Sequence, residues 1–290
     1  MLLGSVWFSA WTFALFFAAV QVKMLLEFYR MMRAAGYAPA KWMGVGLSVY
    51  VFGVSAYLKL YMHISITSID FATDGAPGWH TLILPFAWIL APLLVFTTVL
   101  LIREIMLWPR YSNPFGNIGA TLAGLLYVSL PMTMLIGVAY ASPSHIIDNI
   151  TSNNGGYYDY RRVFALLFLV WASDIGAYAA GKTFGKHKLA PSISPGKTWE
   201  GWAGGFLLTL VVGWALSFMM PDVPLAHRLV AAGVVAIFGP LGDLAESMLK
   251  RSVGVKDSGT MMPGHGGLLD RFDAFLLVLP VLALLQLLVG

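Results

Sequence analysis

Long apolar runs separated by short polar connections dominate this chain, and the runs are the length of bilayer spans. A helix needs about 20 apolar residues to cross a hydrocarbon core. Eight stretches meet that length, at about 5–26, 43–62, 81–102, 117–140, 162–181, 202–220, 228–245 and 270–289. Backbone groups in lipid must find their hydrogen bonds within the segment, so these stretches are expected to be helices. The pattern predicts an all-α, polytopic membrane protein of about eight transmembrane helices, or nine, in one integral membrane domain over 1–290. Within it, 1–160 reads as a divergent set of N-terminal helices and 161–290 as the part bearing the chemistry. No internal repeat is visible. The stretch 141–160, rich in Asn and Gly, reads as an outer loop.

Composition agrees with the pattern. Of 290 residues, 58% are hydrophobic and only 11% charged, with a mean hydropathy of +0.75; soluble domains carry about 25% charged residues. There is no cysteine, which excludes disulfides and thiolate metal sites. The first apolar run lacks a charged leader and a clear cleavage site, so it is read as a retained helix. The aromatic residues suit core and interfacial positions.

The distribution of charge is more informative than its sum. Lys23, Arg30, Arg33, Lys41, Arg103, Arg110, Lys182, Lys186, Lys188, Lys197, Lys250, Arg251, Lys256 and Arg271 fall on one side of the predicted topology. They are 14 of the 18 basic residues. The positive-inside rule places that side in the cytoplasm and both termini outside. The expected location is therefore the cytoplasmic membrane, with the chemistry at its inner face.

Charged side chains are costly near a bilayer, so their concentration in the second half points to function. Asp174 sits inside an apolar run. The loop from Lys182 to Gly201 combines basic and hydroxyl residues with Gly and Pro, a composition suited to phosphate. Asp243 and Glu246 are three apart and share a helix face, as do Asp270 and Asp273. Two acid pairs flanking one loop can converge on a hard cation such as Mg2+, which takes carboxylates completed by phosphates and water. Lys250, Arg251, Lys256 and Arg271 supply charge for a polyphosphate. Gly264, Gly266 and Gly267 around His265 permit close backbone approach to a phosphate. Gly201 and Gly205 suit close helix packing. The segment Gly176–Thr183 formally matches a phosphate-binding loop, but it closes a membrane span and does not join a strand to a helix, so it is not read as one.

These residues resemble the phosphatidate cytidylyltransferase family, also called CDP-diacylglycerol synthase. Its signature is matched by Ser247, Leu249, Lys250-Arg251, Lys256-Asp257, Gly259, Pro263, His265-Gly266-Gly267, Leu268, Asp270-Arg271, Phe272 and Asp273. Met262 is the one departure, standing where the family usually has Leu, Ile or Phe. Upstream, Ser194-Pro195-Gly196-Lys197-Thr198-Trp199-Glu200-Gly201 resembles a second family segment. Asp174 with Ala177-Tyr178 and Gly181 resembles a third, and Gly242-Asp243 with Glu246-Ser247 a fourth. The resemblance spans roughly 170–275.

The resemblance implies transfer of the cytidylyl group of CTP to phosphatidic acid, releasing pyrophosphate, with one or two Mg2+ ions. It implies Asp243 and Asp270 as primary metal carboxylates, joined by Glu246 and Asp273. Lys250, Arg251, Lys256, Arg271, Ser194, Lys197, Thr198, Glu200, Gly266 and Gly267 would line the phosphate sites. Asp257 falls within the catalytic signature, His265 would donate to a phosphate, and Asp174 would orient a cation or Lys197. The expected partners are CTP, phosphatidic acid and membrane lipids, with a homodimer left open and no nucleic acid. Two alternatives stand beside this reading: the same chemistry on an ether-lipid phosphate, and an ion-coupled transporter using Asp174 and Asp243. The second would call for a repeat and a midplane site.

Overall fold

A computed structural model describes residues 2–59, 79–111, 113–140, 158–259 and 266–289. The described helices are α1 (Leu2–Phe8), α2 (Ala10–Ala34), α3 (Lys41–Tyr57), α4 (Trp79–Leu107), α5 (Pro114–Gly124), α6 (Leu130–Ala139), α7 (Tyr160–Phe184), α8 (Trp199–Ala215), α9 (Leu225–Ser252) and α10 (Leu269–Val289). Among the described residues, five helical segments are long and apolar enough to cross a membrane: Ala10–Ala34, Pro114–Ala139, Tyr160–Phe184, Trp199–Phe218 and Leu225–Ser252. The protein is thus a helical, multi-pass membrane protein. Helices also occupy the predicted spans near 43–62, 81–102 and 270–289. The predicted outer loop falls almost wholly outside the described residues.

The all-helical expectation misses one element. Lys188–Ala190 (β1) and Ser194–Thr198 (β2) form an antiparallel hairpin between α7 and α8. It lies within the stretch read from sequence as a polar loop.

The chain divides into two compact units, one of residues 1–7 with 159–289 and one of 8–158. In the second, Ser9 and Thr12 form a reciprocal cap that starts α2. Polar groups inside this unit are paired across helices. Gln21 donates to the Ser48 carbonyl and hydroxyl, and the Ser129 hydroxyl contacts Ser48 at 2.8 Å. Asn117 accepts from the Ala38 N–H and donates to Glu104, which Arg103 also contacts. A π-helical segment, Leu125–Ser129, joins α5 to α6 just before Pro131, which has no N–H to donate.

In the other unit, α7 and α8 touch backbone to backbone. A Cβ on Gly176 would lie 2.7 Å from the Gly204 carbonyl oxygen, and one on Gly201 2.8 Å from that of Ala177. A Cβ on Gly205 would lie 2.7 Å from the Ser173 carbonyl oxygen. No side chain fits there without moving backbone, so the glycines set the helix separation. Gly242 does the same between α9 and α10, where a Cβ would meet the Asp273 carbonyl oxygen at 2.6 Å. Acidic residues on α9 are therefore brought beside those at the start of α10.

Pro240 interrupts the ladder of α9. Lacking an N–H, it leaves the Ala236 carbonyl without its usual partner. The Trp202 indole N–H on α8 donates to that carbonyl at 3.1 Å. The Pro240 carbonyl in turn accepts from Lys197 on the hairpin.

Candidate active site

Three carboxylates converge where α9 meets α10. Oxygens of Asp243, Glu246 and Asp273 lie within 4.8 Å of one another. Asp243 and Glu246 share a face of α9, and the close approach at Gly242 brings up Asp273. Glu246 is fully buried. Lys250 Nζ stands 2.8 Å from Glu246 Oε2, yet neither Glu246 oxygen receives a well-directed hydrogen bond. Contact by charge alone leaves lone pairs open in a desolvated place. Three clustered carboxylates, one of them buried with unfilled lone pairs, fit a hard divalent cation.

Asp270 is used differently. It accepts from Lys250 Nζ at 2.7 Å, the Ser258 hydroxyl at 2.8 Å and the Gly267 N–H at 2.6 Å. Gly266, with φ +76, passes so close that a Cβ would lie 2.6 Å from Asp270 Oδ2. This carboxylate ties both ends of the 258–267 segment to the start of α10. It is not one of the three but adjoins them: its carboxyl group is in hydrogen-bond contact with that of Glu246, and Lys250 bridges the same two residues.

Above the trio the hairpin delivers Lys197. Its Nζ lies 2.6 Å from Asp243 Oδ2 and 3.1 Å from the Pro240 carbonyl oxygen. Thr198 ends β2 and caps α8 by accepting from the Gly201 N–H. Glu200, in the first turn of α8, accepts from the backbone N–H groups of Lys186 and His187, and its carboxylate lies 2.6 Å from His187 Nδ1. It therefore fastens the turn entering the hairpin. Ser194 pairs with Ala190 across the strands.

A cavity of about 430 Å³ opens between α7, the hairpin and α9. Its walls include Asp174, Tyr178, Lys182, Lys197, Thr198 and Asp243. The sequence candidates Asp174, Lys197, Thr198 and Asp243 are thus brought together. Arg251, Lys256, Asp257 and Arg271 are exposed and do not line this cavity. His265 lies outside the described residues. Sequence reasoning named Lys182 at the head of a phosphate-suited loop and Tyr178 in a family-like segment without giving either a place in the site, and it passed over Pro240 and Trp202 as scaffold. A proline and a tryptophan within adjacent spans were the available signal for the second pair.

Residues 1–289 match the model of the cytidylyltransferase family. The chain belongs to that family. Among similar proteins, a phosphatidate cytidylyltransferase of Staphylococcus haemolyticus (strain JCSC1435) is 43% identical over 152 residues, covering 52% of this chain and 57% of that protein. One of Bacillus subtilis (strain 168) is 47% identical over 135 residues, covering 46% and 50% respectively. The chain therefore spans about half the length of the curated relatives it matches.

Proposed function

We propose that this cytidylyltransferase-family protein transfers the cytidylyl group of CTP to phosphatidic acid, giving CDP-diacylglycerol and pyrophosphate for phospholipid synthesis. The observation that carries the reading is the carboxylate trio beside a lysine-bearing cavity, in a chain similar to proteins named for this reaction. A non-ester oxygen of the lipid phosphate attacks the α-phosphorus of CTP. The bond between that phosphorus and the oxygen leading to the β-phosphate breaks, and pyrophosphate leaves with the electron pair. The nucleophile is already anionic, so no strong base is required. The barrier lies in bringing two anions together, which positioning and charge neutralisation lower.

Asp243, Glu246 and Asp273 would hold the Mg2+, as one or two ions. When bound, Mg2+ neutralises phosphate oxygens and polarises the phosphorus they surround. Lys197 sits at the cavity edge of the trio, where it can meet the triphosphate. Lys250 keeps Glu246 and Asp270 in place, and Asp270 fastens the 258–267 segment. Arg251, Lys256 and Arg271 add charge for the triphosphate, Asp257 stands among them, and His265 would donate to a phosphate. Glu200 holds the hairpin, while Ser194 and Thr198 shape its path. Asp174 faces Lys197 and Asp243 across the cavity. The clustering of 14 of 18 basic residues on one side of the topology supports a site at the cytoplasmic face of the cell membrane.

The test is incubation of purified protein with labelled CTP, Mg2+ and phosphatidic acid. A labelled lipid that requires Mg2+ is expected from the wild type and absent from Asp243→Asn and Asp273→Asn. Absence of product from folded wild type, or near-normal turnover in both variants, overturns the proposal.

A further inference from the structure

The cavity holds two lysines in different electrostatic situations. Lys197 is engaged by a carboxylate and a carbonyl. Lys182 has neutral neighbours: its Nζ lies 3.4 Å from the Tyr178 hydroxyl and 5.6 Å from the Tyr178 ring centroid. Among the described residues no carboxylate pairs with it. An anion entering the cavity thus meets Lys182 without having to displace another anion.

The helix that carries Lys182 also suggests which anion. Residues 168, 171, 175, 178 and 182 follow alternating steps of three and four, so they lie along one face of α7. The stripe is apolar and outward, and the exposed Asp174, three residues from Trp171 and four from Tyr178, lies at its edge on the cavity side. Phe168 is 39% exposed, Trp171 44%, Ile175 62% and Tyr178 70%. From Phe168 to Lys182 the stripe rises about 21 Å, more than one leaflet's share of the hydrocarbon core, about 15 Å. An apolar track of leaflet length thus ends at a cation on a cavity that also contains Asp243. A soluble nucleotide has no use for such a track, whereas an acyl chain carrying a phosphate matches both ends. A lysine that merely snorkels from a span end needs no cavity behind it.

We propose that Lys182, with Tyr178, is the subsite for the phosphate of the lipid substrate, with an acyl chain lying along Phe168, Trp171 and Ile175. The inference rests on the cytidylyl-transfer reading and assigns its two substrates to different lysines: lipid to Lys182, nucleotide to Lys197.

The experiment measures KM for each substrate with the full chain in mixed micelles. Lys182→Ala is expected to raise the KM for phosphatidic acid at least about tenfold and leave that for CTP within about twofold, since a charge-assisted contact is lost at one substrate only. Lys182→Arg should restore most of the loss. Trp171→Ala with Ile175→Ala should narrow the preference for dioleoyl over dihexanoyl phosphatidate. A second readout needs no turnover: crosslinking of a photoactivatable phosphatidate to wild type without CTP, which Lys182→Ala should diminish. An unchanged lipid KM, an equal rise in the KM for CTP, or crosslinking indifferent to Lys182 overturns the subsite. Should the alanine variant not fold, Lys182→Gln carries the same comparison. Wild type that binds the lipid through Lys182 but makes no CDP-lipid would sink the reaction and leave the subsite standing. A change in oligomeric state on altering the stripe, with both KM values unchanged, would assign that face to a second copy of the chain and overturn the proposal.

Discussion

Lys250 is the most exacting test of the site's electrostatics. Its ammonium lies 2.8 Å from Glu246 and 2.7 Å from Asp270, and the two carboxylate side chains are 1% and 13% exposed. Lys250→Met keeps the aliphatic stem and removes the charge between them. Breaking a buried pair by deleting one partner costs about 3–5 kcal/mol, because the remaining charge stays desolvated without compensation. Against a total stability of roughly 5–15 kcal/mol this is a large fraction. It corresponds to a fall in melting temperature of roughly 6–20 °C for a unit of this size. Thermal unfolding of the detergent-solubilised protein reads the change directly. Adding Glu246→Gln to Lys250→Met removes one of the two acids left without the lysine, so the double variant should be more stable than Lys250→Met alone, a coupling that a double-mutant cycle quantifies. A Lys250→Met protein that melts with the wild type, or a double variant whose losses simply add, would refute the placement of this lysine between two buried acids.

Two further outcomes follow from the geometry. Trp202→Phe strips the Ala236 carbonyl of its donor and should destabilise by about 1–3 kcal/mol. Pro240→Ala restores an N–H four residues along, so Trp202→Phe should cost less in that background, as chemical or thermal denaturation of the four proteins would show. Away from the carboxylate trio, Asp222 is paired with Arg161 at 2.8 Å. Partial burial pushes the Asp222 carboxyl up, but hydrogen bonds and charge from Arg161 outweigh it and hold the carboxyl below its ordinary value. A lowered carboxyl stabilises the fold above the ordinary carboxylate range and loses that contribution as pH falls through the lowered value. Asp222→Asn should therefore cost stability near neutrality and show a flatter decline in acid, measured as melting temperature against pH. The half-exposed carboxylate makes the effect small.

Much of this arrangement is legible in the sequence because it depends on periodicity. Apolar run length places the helices, and a spacing of three puts Asp243 and Glu246 on one face before any tertiary contact is known. Gly201 and Gly205 announce close packing by the same logic. The roles of Asp270 and Asp273 are not legible in this way. Both lie in the first turns of α10, and only tertiary contacts, with Ser258 and Gly267 as donors to Asp270 alone, tell the two apart. Glu200 has the appearance of a ligand in a basic loop, but its partners are backbone N–H groups fourteen and thirteen residues upstream. The hairpin escapes notice because β1 and β2 are three and five residues long and carry no alternating pattern. Lys182 reads only as the first basic residue of a phosphate-suited loop until the cavity and the exposed face of α7 are seen together.

The join between hairpin and α8 ties two folding events into one. Thr198 is at once the last residue of β2 and the residue that opens α8, and Glu200, two positions on, reaches back to the entry of the hairpin. Strand end and cap are one residue, and the clasp is two positions on, so the hairpin has no independent existence from the helix. A protease nick within the turn at 191–193 would release Lys197 from Asp243 and fray the start of the membrane helix in the same act. Limited digestion of this short, exposed turn would thus report on the integrity of the helix that follows it.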